Sequence, residues 1–165
     1  MKKLTSIIIS GILFLYVSAC TGYTPIYSSS QFNFIIENHS IKGEERLANL
    51  IYRKLYNISL SNKDNLNVQS ISLSVLTKKE KKPTIKNSAG KILEYEINLN
   101  SNIVINDFYT DEIILNQNFN YSISYKVQDE HFETIKLENK NIENLINKTF
   151  QDLLIKISEI IILEW

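Results

Sequence analysis

The densest chemistry in the chain lies in one stretch, Thr77-Lys78-Lys79-Glu80-Lys81-Lys82-Pro83-Thr84-Ile85-Lys86-Asn87-Ser88-Ala89-Gly90-Lys91, with six lysines and one glutamate. Ammonium groups at that density concentrate positive potential in a protein that is otherwise neutral. Their natural counterparts are phosphates and carboxylates, which lysine meets as a point charge without fixed geometry. Two readings follow. Lys78, Lys79, Lys81, Lys82, Lys86 and Lys91 contact an anionic lipid headgroup or an acidic partner surface. Alternatively, they are solvated side chains in a connection between strands, where lysine suppresses edge-to-edge pairing. Other candidates for chemistry fare less well. His39 and His131 have no cysteine or second histidine at metal-ligand spacing. Glu94 and Glu96 share a strand face, but acid-base work needs one of the two shifted by burial, and that face is rich in asparagine. Serines are plentiful, yet no Gly-x-Ser-x-Gly elbow occurs.

Composition narrows the classes further. The 165 residues carry 18 Lys+Arg against 18 Asp+Glu, four Gly, two His and one Cys. A balanced charge argues against nucleic acid as a partner. Four glycines leave no room for a phosphate-cradling loop, and a lone cysteine excludes an internal disulfide framework. No metal or cofactor site emerges, and the residues point to a binding protein, not an enzyme.

The single cysteine has a telling position. Met1-Lys2-Lys3 is followed by an apolar stretch from Leu4 to Val17 and then by Val17-Ser18-Ala19-Cys20. A charged start, a short apolar run and small residues before a cut describe a secretory signal peptide. The run is too short for a convincing membrane span. The small residues before Cys20 also match the bacterial lipobox, which implies acylation of Cys20 and cleavage before it. The alternatives are an uncleaved anchor helix, or an ordinary signal beside a chance cysteine. By resemblance to bacterial sorting rules, Thr21 in place of aspartate favours the outer membrane, with the mature chain on its periplasmic face.

These residues must be positioned by a fold, and the hydrophobic pattern outlines one. Residues 1–19 read as a lipoprotein signal peptide and residues 20–31 as a polar, lipid-anchored tether. Residues 32–165 read as a single α+β periplasmic domain. Phe32, Phe34 and Ile36 alternate as a first strand, and Asn38 to Gly43 reads as a turn-rich connector. Leu47, Leu50, Ile51, Leu55 and Ile58 then fall at helical spacing. Three alternating stretches follow, around Ile71–Val75, Tyr95–Ile105 and Leu115–Val127, each opposing an apolar face to Ser and Asn. Asn106 to Glu112 suits the loop of a hairpin. A long amphipathic helix closes the chain, with Asn139 or Asn141 able to cap its start. The spacing thus predicts one antiparallel sheet of about four strands with two amphipathic helices on one face, in the order β-α-β-β-β-α.

One short motif carries a resemblance. Cys20-Thr21-Gly22-Tyr23-Thr24-Pro25-Ile26-Tyr27 resembles the start of the mature LPS-assembly lipoprotein family (LptE type): cysteine, a Gly-aromatic pair, proline, an aliphatic residue and tyrosine. Thr21 is an extra residue after the cysteine. The order of elements matches over nearly the whole mature chain. Asn87-Ser88-Ala89-Gly90-Lys91 is similar to the family's small-residue turn leading into a basic residue, with Lys91 where many relatives have arginine. The resemblance implies a lipoprotein that sits as a plug in the lumen of the outer-membrane LPS translocon barrel (LptD type), helps that barrel assemble and binds lipopolysaccharide. In that role the six lysines would meet lipid A phosphates or barrel carboxylates. Arg46 and Arg53 depart from the paired Gln and Arg that relatives often carry at the helix start. A periplasmic adaptor lipoprotein of another envelope transport or secretion complex is the alternative, since anchor and fold are shared by many such proteins. A lipid-anchored hydrolase would need a nucleophile and base that the sequence does not offer.

Overall fold

The structure is a computed structural model and describes residues 32–61 and 68–163, with the side chains described as far as residue 160. Its elements are β1 (Phe34–Gly43), α1 (Glu45–Leu60), β2 (Gln69–Lys86), β3 (Ile92–Asp107), β4 (Ile113–Lys126) and α2 (His131–Leu163). The α+β order β-α-β-β-β-α is the one the spacing predicts. The strands form one sheet in the order β1-β2-β3-β4.

The sheet is mixed. β2, β3 and β4 pair antiparallel as expected, whereas β1 runs parallel to β2. The cause is α1. Sixteen residues of helix carry the chain about 24 Å, back along β1 towards its start, so β2 sets out beside β1 in the same direction. Alternation of apolar and polar residues reports which face is dry but not which way a neighbour runs.

One face of the sheet is dry because its odd-numbered positions are apolar. Ile71, Leu73 and Val75 of β2, Ile97, Leu99, Ile103 and Ile105 of β3, and Leu115, Phe119 and Tyr125 of β4 are all buried. Against them α1 sets Leu47, Ala48, Ile51 and Leu55, and α2 sets Ile142, Leu145, Ile146, Leu153, Leu154 and Ile157. Burying each such side chain fully contributes about 1.5–3 kcal/mol. The opposite face carries the asparagines and serines and no helix. There Asn100 Nδ2 donates to Asn120 Oδ1 at 2.6 Å and Asn102 Nδ2 to Asn116 Oδ1 at 3.2 Å.

Three boundaries differ from the sequence reading. β1 continues through Asn38–Gly43, past a register shift between Ile36 and Asn38. This edge strand bonds to a neighbour on one side only, so polar residues there resemble a turn. β2 runs on through the lysines to Lys86, paired with β3 through register shifts between Pro83 and Ile85 and between Ile85 and Lys86. The lysine stretch is therefore strand, with only Asn87–Lys91 as the turn. Finally, α2 begins at His131, not at Asn139 or Asn141. Its first turns leave Phe132 and Ile135 exposed, which breaks the amphipathic pattern that locates a helix. His131 accordingly opens a helix instead of ending a strand, and His39 lies within β1, stacked on Tyr52 of α1 with ring centroids 4.2 Å apart.

Candidate functional site

The half of β2 that bears the lysines is defined by where β1 stops. Gly43 is the last residue of β1, opposite Thr77, and has φ +78°. A Cβ there would stand 2.2 Å from the Thr77 carbonyl oxygen. Only glycine allows that approach, and the amide of Glu44 then donates to the same oxygen at 2.7 Å. The chain turns away into α1, so from Lys78 onward β2 has lost its β1 neighbour. The basic stretch is the outer strand of a three-stranded extension formed with β3 and β4.

Strand alternation divides the lysines between two faces. Lys79 and Lys81 share the helix side with Val75 and Thr77, and there they meet Glu138 of α2. Lys81 Nζ lies 2.5 Å from Glu138 Oε2, and Lys79 Nζ lies 4.0 Å from Oε1. Tyr125 Oη donates to the same carboxylate at 2.9 Å. The Lys81 ammonium also sits 4.2 Å from the ring centroid of Tyr95 and 5.7 Å from that of Tyr125. Burial alone would raise the Glu138 carboxyl. The hydrogen bonds from Lys81 and Tyr125, with the charges of Lys81 and Lys79, outweigh burial and hold it below its usual 4.5. Burial likewise opposes the Lys81 ammonium, but the Glu138 carboxylate keeps it above its ordinary value. These two lysines are committed to fastening α2 onto the sheet.

On the open face Lys82 Nζ pairs with Glu96 Oε1 at 2.9 Å, and Asn98 Nδ2 donates to the same oxygen at 3.2 Å. The Lys82 hydrogen bond, then that of Asn98, holds the Glu96 carboxyl below its usual value. Glu94 accepts a hydrogen bond from Thr84 Oγ1 at 3.0 Å. An ionised, paired Glu96 is the opposite of what a general acid needs. Lys78 borders an open groove of about 450 Å³ with Glu80, Asn98, Asn100, Asn120 and Ser122.

Lys86 and Lys91 flank the hairpin turn. Asn87 builds that turn by accepting the amides of Ala89 and Lys91 on its Oδ1 at 3.0 and 2.9 Å. Gly90 supplies the positive φ of 79°. Among the described residues, neither Lys86, Lys91 nor Lys78 has an acidic side chain within ion-pair distance. Exposed apolar residues lie on the hairpin, at Ile85 and Leu93, and at the start of α2, at Phe132 and Ile135. The end of β4 ties these parts together, since the Val127 amide donates to the Leu93 carbonyl at 2.9 Å. A pair of free ammonium groups beside apolar side chains can engage an anionic amphiphile.

The six lysines of the sequence reading therefore separate into three engaged in ion pairs and three without one. Glu138, Phe132 and Ile135 were not foreseen. Glu138 is 57 residues from Lys81 along the chain, and no spacing rule links them. Phe132 and Ile135, three apart, were the available signal. Cys20, the rest of the signal peptide and the tether lie outside the described residues. Among the described residues no three His, Cys, Asp or Glu side chains cluster as metal ligands would, and no helix is long and apolar enough to cross a membrane.

No family model matches the chain, and no curated protein does. Solved structures do resemble it. Rare lipoprotein B from Shewanella oneidensis is similar with a TM-score of 0.53 at 17% identity, over 78% of this chain and 100% of that one. Lipoprotein B from Nitrosomonas europaea is similar with a TM-score of 0.56 at 13% identity, over 84% of this chain and 91% of that one. At these identities the likeness concerns the fold, which this chain shares with bacterial lipoproteins.

Proposed function

We propose that this chain is an outer-membrane lipoprotein, anchored through Cys20, that binds lipopolysaccharide and serves as the plug and assembly subunit of the LPS translocon barrel. It acts by binding and not by catalysis. The observation that carries the reading is the hairpin tip, where Lys86 and Lys91 have no ion-pair partner among the described residues and Ile85 and Leu93 of the same hairpin are exposed, with Phe132 and Ile135 exposed at the start of α2. Lipid A presents phosphates next to acyl chains, and this tip offers the complement of both. The lipobox at Cys20 and the fold shared with lipoproteins support the anchor. The uncovered Asn and Ser face of the sheet supports the plug, because the lumens of large outer-membrane barrels are polar.

The test is LPS binding by the purified protein with Lys86→Glu and Lys91→Glu combined. Two charge reversals at phosphate contacts are expected to remove about 2–3 kcal/mol, a loss of roughly 30- to 150-fold in affinity. Thermal unfolding should stay unchanged, because both side chains are exposed and have no ion-pair partner among the described residues. Unaltered binding would remove the tip from the account. In-cell crosslinking from Lys78, on the open face, tests the partner. A large outer-membrane barrel supports the plug, and an inner-membrane transport component in its place would make the chain an adaptor.

A further inference from the structure

The end of the domain opposite the lysine tip carries a second exposed apolar cluster. The turn between β3 and β4 projects Phe108 and Tyr109, with Tyr109 80% exposed, and Ile113 beside them is 65% exposed. Leu60 at the end of α1 is exposed at the same end. Nothing in the core requires aromatic residues in this turn, yet the turn is rigidly built. Asp107 Oδ1 accepts the amides of Tyr109 and Thr110, each at 2.9 Å. The Asp107 amide donates to the Glu112 carbonyl at 2.9 Å, and that of Phe108 to the Ser70 carbonyl at 3.0 Å. The turn thus holds an aromatic pair out in solvent, its rings edge to face with centroids 5.3 Å apart.

The position of the N-terminal segment says what covers this cluster. Gln69, at the start of β2, bonds through its amide to the Asn33 carbonyl at 3.0 Å, and Ile71 lies opposite Asp107. The described chain therefore begins at the same end as the aromatic turn. Phe32 lies twelve residue steps on from Cys20, a span of at most about 40 Å. β2 alone has 18 residues and is about 60 Å long. A chain anchored at Cys20 cannot stand inverted with its lysine tip on the bilayer, because the tether would have to reach past the full length of the sheet. The end that can rest on the lipid is the end with Phe108, Tyr109 and Ile113.

We propose that this end is a membrane-docking surface: when the anchored chain has no protein partner, Phe108, Tyr109 and Ile113 settle into the headgroup boundary of the leaflet that holds the acyl chains. The proposal rests on the anchor at Cys20. Aromatic residues favour that boundary because an apolar ring and a polar edge suit it. The charges set the lipid class. From Ile105 to Leu115 there is no Lys or Arg, while Asp107, Asp111 and Glu112 are present. Docking therefore works by apolar insertion into zwitterionic lipid and gains nothing from anionic lipid.

The experiment uses the acylated full chain purified from a bacterial envelope and placed in phosphatidylcholine vesicles containing brominated lipid. The chain has one tryptophan, so Trp165→Phe gives a silent background. Into this background go Tyr109→Trp or, at the opposite end, Phe132→Trp; both positions are exposed and tolerate the larger ring. Bromine should quench Tyr109→Trp by about half or more if the ring lies roughly 5–10 Å into the boundary. Phe132→Trp should remain unquenched. Replacing part of the lipid with phosphatidylglycerol should not increase the effect. An acylated chain in which Tyr109→Trp is unquenched, or Phe132→Trp is the more strongly quenched, overturns the docking and leaves the anchor standing. A chain whose mass shows no acyl groups overturns both.

Discussion

Glu138→Ala is the perturbation that best separates the structural lysines from those free to bind a ligand. The carboxylate receives Lys81 at 2.5 Å and Tyr125 Oη at 2.9 Å, with Lys79 at 4.0 Å. Removing it leaves the Lys81 ammonium over two tyrosine rings with no counter-charge and the Tyr125 hydroxyl without its acceptor. Hydrogen bonds to charged groups contribute about 1.5–3 kcal/mol each. Because Lys81 remains about a third accessible, screening reduces this, and the expected loss is about 2 kcal/mol. For a chain of this size that lowers Tm by about 4–8 °C. The assay is thermal unfolding of the wild type, Glu138→Ala, Lys81→Met and the double variant. Their coupling energy should be about 1–2 kcal/mol. pH supplies a second reading. The folded carboxyl is held below 4.5, so its contribution is complete above that value and lost as pH falls through the lowered folded value. The wild-type Tm should therefore fall more steeply on acidification than that of Glu138→Ala. LPS affinity should be the same in all four proteins. Additive effects with coupling below about 0.5 kcal/mol would reduce the cluster to an ordinary surface ion pair. Loss of LPS binding in Lys81→Met without loss of stability would refute the division of the lysines altogether.

Gly43→Ala should be among the most damaging substitutions in the domain. The left-handed φ penalises any side chain by about 1–2 kcal/mol, and a Cβ 2.2 Å from the Thr77 carbonyl oxygen must displace backbone. A total of about 3 kcal/mol or more is expected, read as a Tm lower by roughly 6–12 °C; a shift of only a degree or two would mean that the β1–α1 junction adjusts freely. Tyr121 reports at the alkaline end. Burial, then the hydrogen bond to Asp152 and the charge of Asp152, push its hydroxyl up to about 12. The protonated phenol therefore stabilises the fold fully below pH 10, and that contribution is lost as pH rises towards 12. Burial also raises the hydroxyls of Tyr52 and Tyr125, so ultraviolet titration of phenolate should show a late phase whose amplitude near pH 12 Tyr121→Phe reduces, and the variant's stability should fall less between pH 10 and 12.

The fold was legible where burial imposes a period. The odd-numbered apolar positions of β2, β3 and β4 and the three-and-four spacing of Ile142, Leu145, Ile146, Leu153 and Ile157 all mark the observed core. Legibility failed where a segment has no dry face. Asn38–Gly43 and Lys78–Lys86 are strands held by backbone hydrogen bonds, with mostly polar side chains that meet water, ion-pair partners or the rim of a helix and not the apolar core, so neither shows alternation. The start of α2 failed for the converse reason: Phe132 and Ile135 are apolar but exposed, and they blur the stripe that begins at Ile142. The candidate site was half legible. Six lysines in fifteen residues announce a basic surface, but which are neutralised depends on Glu96 across the β2–β3 ladder and on Glu138 in a helix far along the chain. Register and packing decide that, and neither is written in local spacing.

The two readings of the lysine stretch turn out to concern different demands on one strand. Beyond Thr77, β2 has an open edge, because Gly43 turns β1 away. An open edge invites pairing with other chains unless charge or proline blocks it, and Lys78, Lys82 and Pro83 lie along this one. Edge protection needs charge of either sign. A ligand with phosphates needs positive charge. Substitution to glutamate is therefore the informative change at Lys86, at the end of that strand, and at Lys91 across the turn, since it keeps a charge at each position while reversing attraction for an anion. Neutral substitution would remove both properties together, and any loss of binding could then be laid to self-association. The geometry also explains why both demands fall on one strand and the turn that ends it. The extension carries the lysine tip away from the end where the described chain begins by the length of the sheet, and a strand that projects beyond its neighbour necessarily exposes its edge.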